Sequence, residues 1–160
     1  MRASPVLDFV HNRGIIHRAL KPSNLMRRQS DGSLVLTGFG IFREIGNQVM
    51  RSQHQNFQTG TKESAVYIAP SQDLGQAQFN SEIYSLGMVC IQALTGRTVE
   101  SLSNLREKDN QESFWHKETE ANPKLIEILD RMVDADSKQR YQSVRSVLSN
   151  LADWETGSVE

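Results

Sequence analysis

Hydrophobic positions along the chain fall into helical stretches and one pair of short strands. Val6, Leu7 and Val10 share one helical face, and Gly14 follows as a left-handed stop. Asn24-Leu25-Met26 and Leu34-Val35-Leu36 are strand-like runs on either side of Asp31-Gly32, a dipeptide suited to a hairpin turn. From Gly38 to Pro70 no period is visible, which predicts a long loop. Ile83, Leu86, Met88, Val89, Cys90, Ile91 and Leu94 then cover nearly every face of a helix. Asn80 is its expected N-cap and Gly96 its stop. A helix apolar all round belongs at the centre of a domain.

The segment Val99 to Lys117 is mixed and polar, with Phe114-Trp115 as its expected anchor onto the core. Asn122-Pro123 reads as an N-cap followed by proline at the first helical position. Leu125, Ile128, Leu129 and Met132 form the inward stripe of that helix. A last helix starts near Ser143 with Val144, Val147, Leu148 and Leu151 inward, and from Gly157 a frayed tail is expected. The pattern predicts a mainly α domain over residues 1–154 carrying one small β-hairpin, with a flexible tail at 155–160.

Length and charge narrow the function classes. At 160 residues the chain fits one domain with a real core. Lys+Arg 18 against Asp+Glu 19 leaves a formal net charge of −1, so no global field draws nucleic acid or an anionic membrane. The single cysteine, Cys90, excludes an internal disulfide framework and suits a reducing cytoplasm. No signal-peptide pattern follows Met1, and the apolar stretch from Ile83 to Leu94 is shorter than the roughly 20 residues a bilayer requires. A cytoplasmic protein without nucleic-acid or membrane partners is the expectation.

Two motifs carry the chemistry: His17-Arg18-Ala19-Leu20-Lys21-Pro22-Ser23-Asn24, and Gly38-Phe39-Gly40. They resemble the catalytic loop and the metal-binding triplet of a eukaryotic-like Ser/Thr protein kinase of bacterial, cyanobacterial type. Further pieces agree in order. Gly60-Thr61 and Tyr67-Ile68-Ala69-Pro70 resemble the end of the activation segment. Ser81-Glu82-Ile83-Tyr84-Ser85-Leu86-Gly87 resembles the start of the central helix, and Arg140-Tyr141 the start of the last one. The resemblance implies a C-terminal kinase lobe with the small N-lobe absent. These residues show neither a Gly-rich loop nor a strand lysine paired to a helix glutamate.

Both aspartates of the family pattern are missing. The resemblance puts the proton acceptor where Ala19 stands and a magnesium ligand where Gly38 stands. Loss of a positioned general base costs about 10²–10⁴-fold, and loss of the metal ligand removes the ion that neutralises the transferred phosphoryl. Lys21 would touch that phosphate and Asn24 a second metal. With position 38 empty, both are read as hydrogen-bonding scaffold. Met26 would lie beneath the adenine, but a strand methionine is first read as core. His17 and Phe39 would stack in the hydrophobic spine, and Ala69 and Pro70 would close the activation segment.

Other positions implied by the resemblance are structural. Glu82 replaces the aspartate that anchors the loop backbone, and its extra methylene, about 1.5 Å, is expected to loosen that anchor. Ser71 replaces the glutamate partner of Arg140, with Asp73 as a candidate substitute. Arg18 would receive an activation-loop phosphate in active relatives, whereas Thr61 and Ser64 read as ordinary loop hydroxyls.

The leading expectation is a truncated, catalytically inactive kinase-like domain with no resident metal and no cofactor. It would act, if at all, through an inter-lobe face that takes a protein partner. Two alternatives stay open. One is an active or split Ser/Thr kinase using ATP and Mg²⁺, and the other is a decayed fragment without a selected role.

Overall fold

The computed structural model describes residues 4–39, 65–70, 78–108 and 112–157. The expected mainly α architecture with one hairpin is what forms. A first helix spans Ser4–His11, and Gly14 takes the left-handed backbone (φ +71°) that turns the chain out of it. Strands Leu25–Arg27 and Leu34–Leu36 pair antiparallel, with Leu25 opposite Leu36 and Met26 opposite Val35. Gly32 at φ +67° makes the turn, and Asp31 Oδ1 accepts the Ser33 N–H at 3.0 Å.

The central helix, Phe79–Thr95, is the organising element. Asn80, expected as its cap, is instead buried inside its first turn. The Asn80 amide donates to Ser137 O at 3.0 Å, and Gln78 starts the helix, its N–H on Ser81 Oγ at 3.3 Å. Tertiary partners outcompeted the local cap. The other end forms as expected, with Gly96 at φ +63° donating to Gln92 O. The run Asn80–Met88 and Ile91 are buried, Val89 and Cys90 half-buried, and Leu94 stands exposed near the C-terminal end. Burial pushes the Cys90 thiol up to about 12, so it packs as an inert apolar group.

The polar stretch after Gly96 is more regular than its composition suggested. It holds a helix, Val99–Lys108, anchored by buried Leu102, and a 3-10 segment, Glu112–Glu118. Trp115 is the buried anchor, its indole N–H donating to Asp130 Oδ1 at 3.0 Å; the Phe114 side chain lies outside the description.

Helix Pro123–Met132 is capped by Asn122, whose side chain accepts the Lys124 N–H at 2.9 Å. It buries Ile128, Leu129 and Met132 against the central helix. The two approach so closely at Gly87 that an added Cβ would stand 2.7 Å from Val133 Cγ1. The final helix, Val144–Gly157, buries Val144, Val147 and Leu151, with Leu148 half-buried, and packs on both Pro123–Met132 and the first helix. The His17 loop is thereby held between the first helix, the hairpin and the start of the central helix. No helix among the described residues is long and apolar enough to cross a membrane.

Candidate functional site

His17 is 0% exposed and fixes the loop from within. Its Nε2 lies 2.8 Å from Thr37 O, while Nδ1 accepts the Ala19 N–H at 3.2 Å. Both contacts are satisfied together when the proton sits on Nε2. The ring tilts at 54° against Phe39 with centroids 4.5 Å apart. The loop is thus stitched to the far end of the hairpin by one imidazole.

Arg18 adopts φ +65°, unusual for a residue with a side chain. Its N–H donates to Glu82 Oε1 at 2.5 Å, and Glu82 is only 3% exposed. The second oxygen, Oε2, sits 2.7 Å from Nε2 of His11, whose ring packs at 4.8 Å on Phe79. The slack expected from the longer side chain is not seen, because the extra reach is taken up by this second partner. His11 went unnoticed in the sequence. The signal available was a histidine in the last turn of the helix leading into the loop.

Asn24 closes the 3-10 turn Pro22–Asn24, whose N-cap is Lys21. Its Nδ2 donates to Ala19 O at 2.6 Å, and its backbone N–H donates to Lys21 O at 3.0 Å. Its carbonyl accepts the Thr37 N–H at 2.9 Å. Ala19 joins this network through its backbone N–H and carbonyl alone, and its side chain has no proton acceptor. Gly38, at φ +73°, follows Thr37, and a Cβ added there would run into the Asn24 amide.

Met26 contradicts its reading as core. It is 58% exposed, since the hairpin packs Leu36 inward and turns Met26 and Arg27 outward. Gly40 lies outside the described residues, as do Thr61, Ser64, Ser71 and Asp73.

Ala69 is buried and Pro70 exposed, and the short segment around them is clamped to the central helix. Ser85 Oγ donates to Tyr67 O at 2.7 Å, and the Tyr67 hydroxyl donates to Gln92 Oε1. Arg140, 1% exposed, is solvated by backbone carbonyls. Its Nε and one terminal nitrogen donate to Asp134 O at 3.0 and 2.8 Å, and the other donates to Asn80 O at 3.1 Å. Burial lowers its pKa, opposed by Tyr84, Asp134 and Asp136.

The kinase resemblance implies magnesium bound with a nucleotide, and the side chains described around position 38 do not by themselves supply the oxygens that ion takes. Mg²⁺ takes six oxygens in a strict octahedron. Here position 38 has no side chain, and the side chain nearest to it among the described residues is the Asn24 carboxamide. No group of three or more His, Cys, Asp or Glu among the described residues is arranged for a metal. An open cleft of about 480 Å³ lies elsewhere, lined by Glu127, Asp130, Asp134 and Gln139, and touches none of the loop.

Comparison with known proteins agrees with the motifs. The protein kinase domain model matches residues 3–151. Serine/threonine-protein kinase B of Synechocystis sp. is 32% identical over 151 residues, covering 92% of this chain and 26% of that protein. Serine/threonine-protein kinase PknA of Nostoc sp. is 33% identical over 148 residues, again 92% of this chain and 26% of the relative. The chain therefore spans about a quarter of the length of these curated relatives. With the kinase domain model matching nearly the whole chain and these relatives 32% and 33% identical across 92% of it, the chain belongs to the protein kinase domain family, beside the Ser/Thr kinases of cyanobacteria.

Proposed function

We propose that this chain is a kinase-homologous domain that does not transfer phosphate and acts as a cytoplasmic interaction module. The observation that carries this reading is an intact scaffold around two empty positions. His17, Glu82 and Asn24 hold the loop in place, yet Ala19 offers no base and Gly38 no metal ligand. Phosphoryl transfer depends almost wholly on positioning and on charge neutralisation. A loop that keeps its geometry without either group is suited to being recognised rather than to reacting.

Met26 supports a partner surface. It projects into solvent from the hairpin, where the kinase resemblance puts the floor of the adenine site. Ile15, at the entrance to the loop, is also 45% exposed. A protein partner covering these side chains would remove apolar area from water at about 25 cal/mol per Å². The same exposure favours a second reading, in which a small kinase lobe seats there and restores an ATP site.

The deciding experiment is transfer of labelled γ-phosphate from ATP, with Mg²⁺ or Mn²⁺, to a mixed Ser/Thr substrate. No incorporation above a heat-treated control is expected. Incorporation that disappears in Lys21→Ala and Asn24→Ala would overturn the proposal. A parallel thermal shift reports nucleotide binding, since a ligand at 100 times its Kd stabilises by about 2.7 kcal/mol.

A further inference from the structure

Asn24 and Gly38 carry an inference beyond the loss of two carboxylates, resting on the same reading of the site as inactive. A Cβ built on Gly38 would stand 2.8 Å from Asn24 Oδ1, 2.9 Å from Cγ and 3.0 Å from Nδ2. The whole carboxamide thus occupies the first volume that any side chain at position 38 must enter. To swing aside it must give up a hydrogen bond. Its Nδ2 is bonded to Ala19 O at 2.6 Å, and its backbone is bracketed by Lys21 O and the Thr37 N–H.

We infer that the Asn24 carboxamide is a latch that closes this site to a divalent cation, even when a carboxylate is returned to position 38. A side chain there must first displace the amide or shift its own backbone. Either movement separates the two oxygens that would have to converge on one ion. Magnesium and manganese require several oxygens at near-octahedral angles, so ligands driven apart do not add up to a site. The carboxamide also has a role that needs no metal: through Ala19 O it closes the His17 loop on itself.

A double-mutant cycle in the full chain tests the steric part. Gly38→Ala adds a Cβ at φ +73°, with a backbone strain common to both backgrounds, so the cycle cancels it. Gly38→Ala is expected to lower Tm at least twice as much in the native background as in Asn24→Ala. A Gly38→Ala chain that folds only alongside Asn24→Ala is the same result at its extreme, and equal losses in both backgrounds overturn the latch.

Mn²⁺ binding without nucleotide, read by water-proton relaxation enhancement, tests the second part. Gly38→Asp is expected to match the native chain, and Gly38→Asp with Asn24→Ser to bind. Enhancement with Gly38→Asp alone, or with neither variant, rejects the latch. None of these outcomes bears on phosphate transfer by the native chain, which is decided separately.

Discussion

Glu82 reaches across 64 residues of chain to accept the backbone N–H of Arg18 at 2.5 Å. The same carboxylate takes His11 Nε2 at 2.7 Å on its other oxygen. One buried side chain therefore joins the first helix, the loop and the central helix. The aspartate that the kinase resemblance implies at this position is one methylene shorter, so the same backbone would carry its carboxylate less far toward these two partners.

Returning that aspartate should therefore harm this chain. Glu82→Asp is expected to destabilise by about 1–2 kcal/mol, since one of two buried partners is left unmet. Glu82→Ala, which strands both, should cost about 3 kcal/mol or more. Urea denaturation followed by circular dichroism measures both. A Glu82→Asp chain as stable as the native one would show that the second contact contributes nothing.

Arg18 stores strain that Glu82 holds in place. At φ +65° a side chain costs on the order of 1 kcal/mol relative to glycine. Arg18→Gly should leave stability unchanged or raise it by up to about 1 kcal/mol. Arg18→Val, β-branched in the same conformation, should lower it by about 1–3 kcal/mol. Melting temperatures of the pair decide this, and parallel losses in both would point to the guanidinium instead.

Much of this architecture was legible in the residues. Asn122-Pro123, Gly96 and the Asp31-Gly32 turn are local signals, and each formed its cap or turn because no distant group competed. Asn80 shows where locality ends: its amide is worth more on Ser137 O, and its carbonyl on Arg140, than at a helix cap. The pairing of His11 with Glu82 and the crowding of Gly38 by Asn24 lie beyond local signals for the same reason. Both arise from residues brought together by packing, which neither period nor spacing encodes. Met26 was misread because a three-residue strand gives too little alternation to tell its inner face from its outer one.

Arg140 should behave as a carbonyl clamp rather than as an ordinary ion-pair partner. Its three described bonds go to Asn80 O and Asp134 O, joining the central helix to the turn before the final one. Arg140→Lys keeps the charge but cannot reproduce the planar fork, so it should lose most of the stability lost in Arg140→Met. Both are expected to cost about 3 kcal/mol, read by chemical denaturation. A Lys variant within about 0.5 kcal/mol of the native chain would mean that charge alone matters at this position.

The hairpin turn offers a pH signature with a defined sign. Hydrogen bonds from Ser33 hold the Asp31 carboxyl below its ordinary value of 3.8, with Arg28 adding a smaller pull. A depressed carboxylate contributes stability that is present above the unfolded value and lost as pH falls through the folded one. The Ser33 amide resonance should therefore shift during acid titration with a midpoint below 3.8, and Asp31→Asn should abolish that shift.

Gly87 inside the central helix and Gly96 just past its end separate two reasons for glycine. At Gly87 an added Cβ would meet Val133 Cγ1 at 2.7 Å and Met132 Cβ at 2.9 Å, so the helices themselves must part. Gly87→Ala should cost about 1–3 kcal/mol by overpacking and should disturb the Val133 methyl resonances. At Gly96 nothing lies within 4 Å, and only φ +63° opposes a side chain. Gly96→Ala should cost about 1 kcal/mol, and Gly96→Asn less, because asparagine tolerates the left-handed region. The contrast is what matters: asparagine rescues a backbone problem and worsens a packing one. If Gly87→Asn were milder than Gly87→Ala, the close approach of the central helix to Pro123–Met132 would have to be wrong.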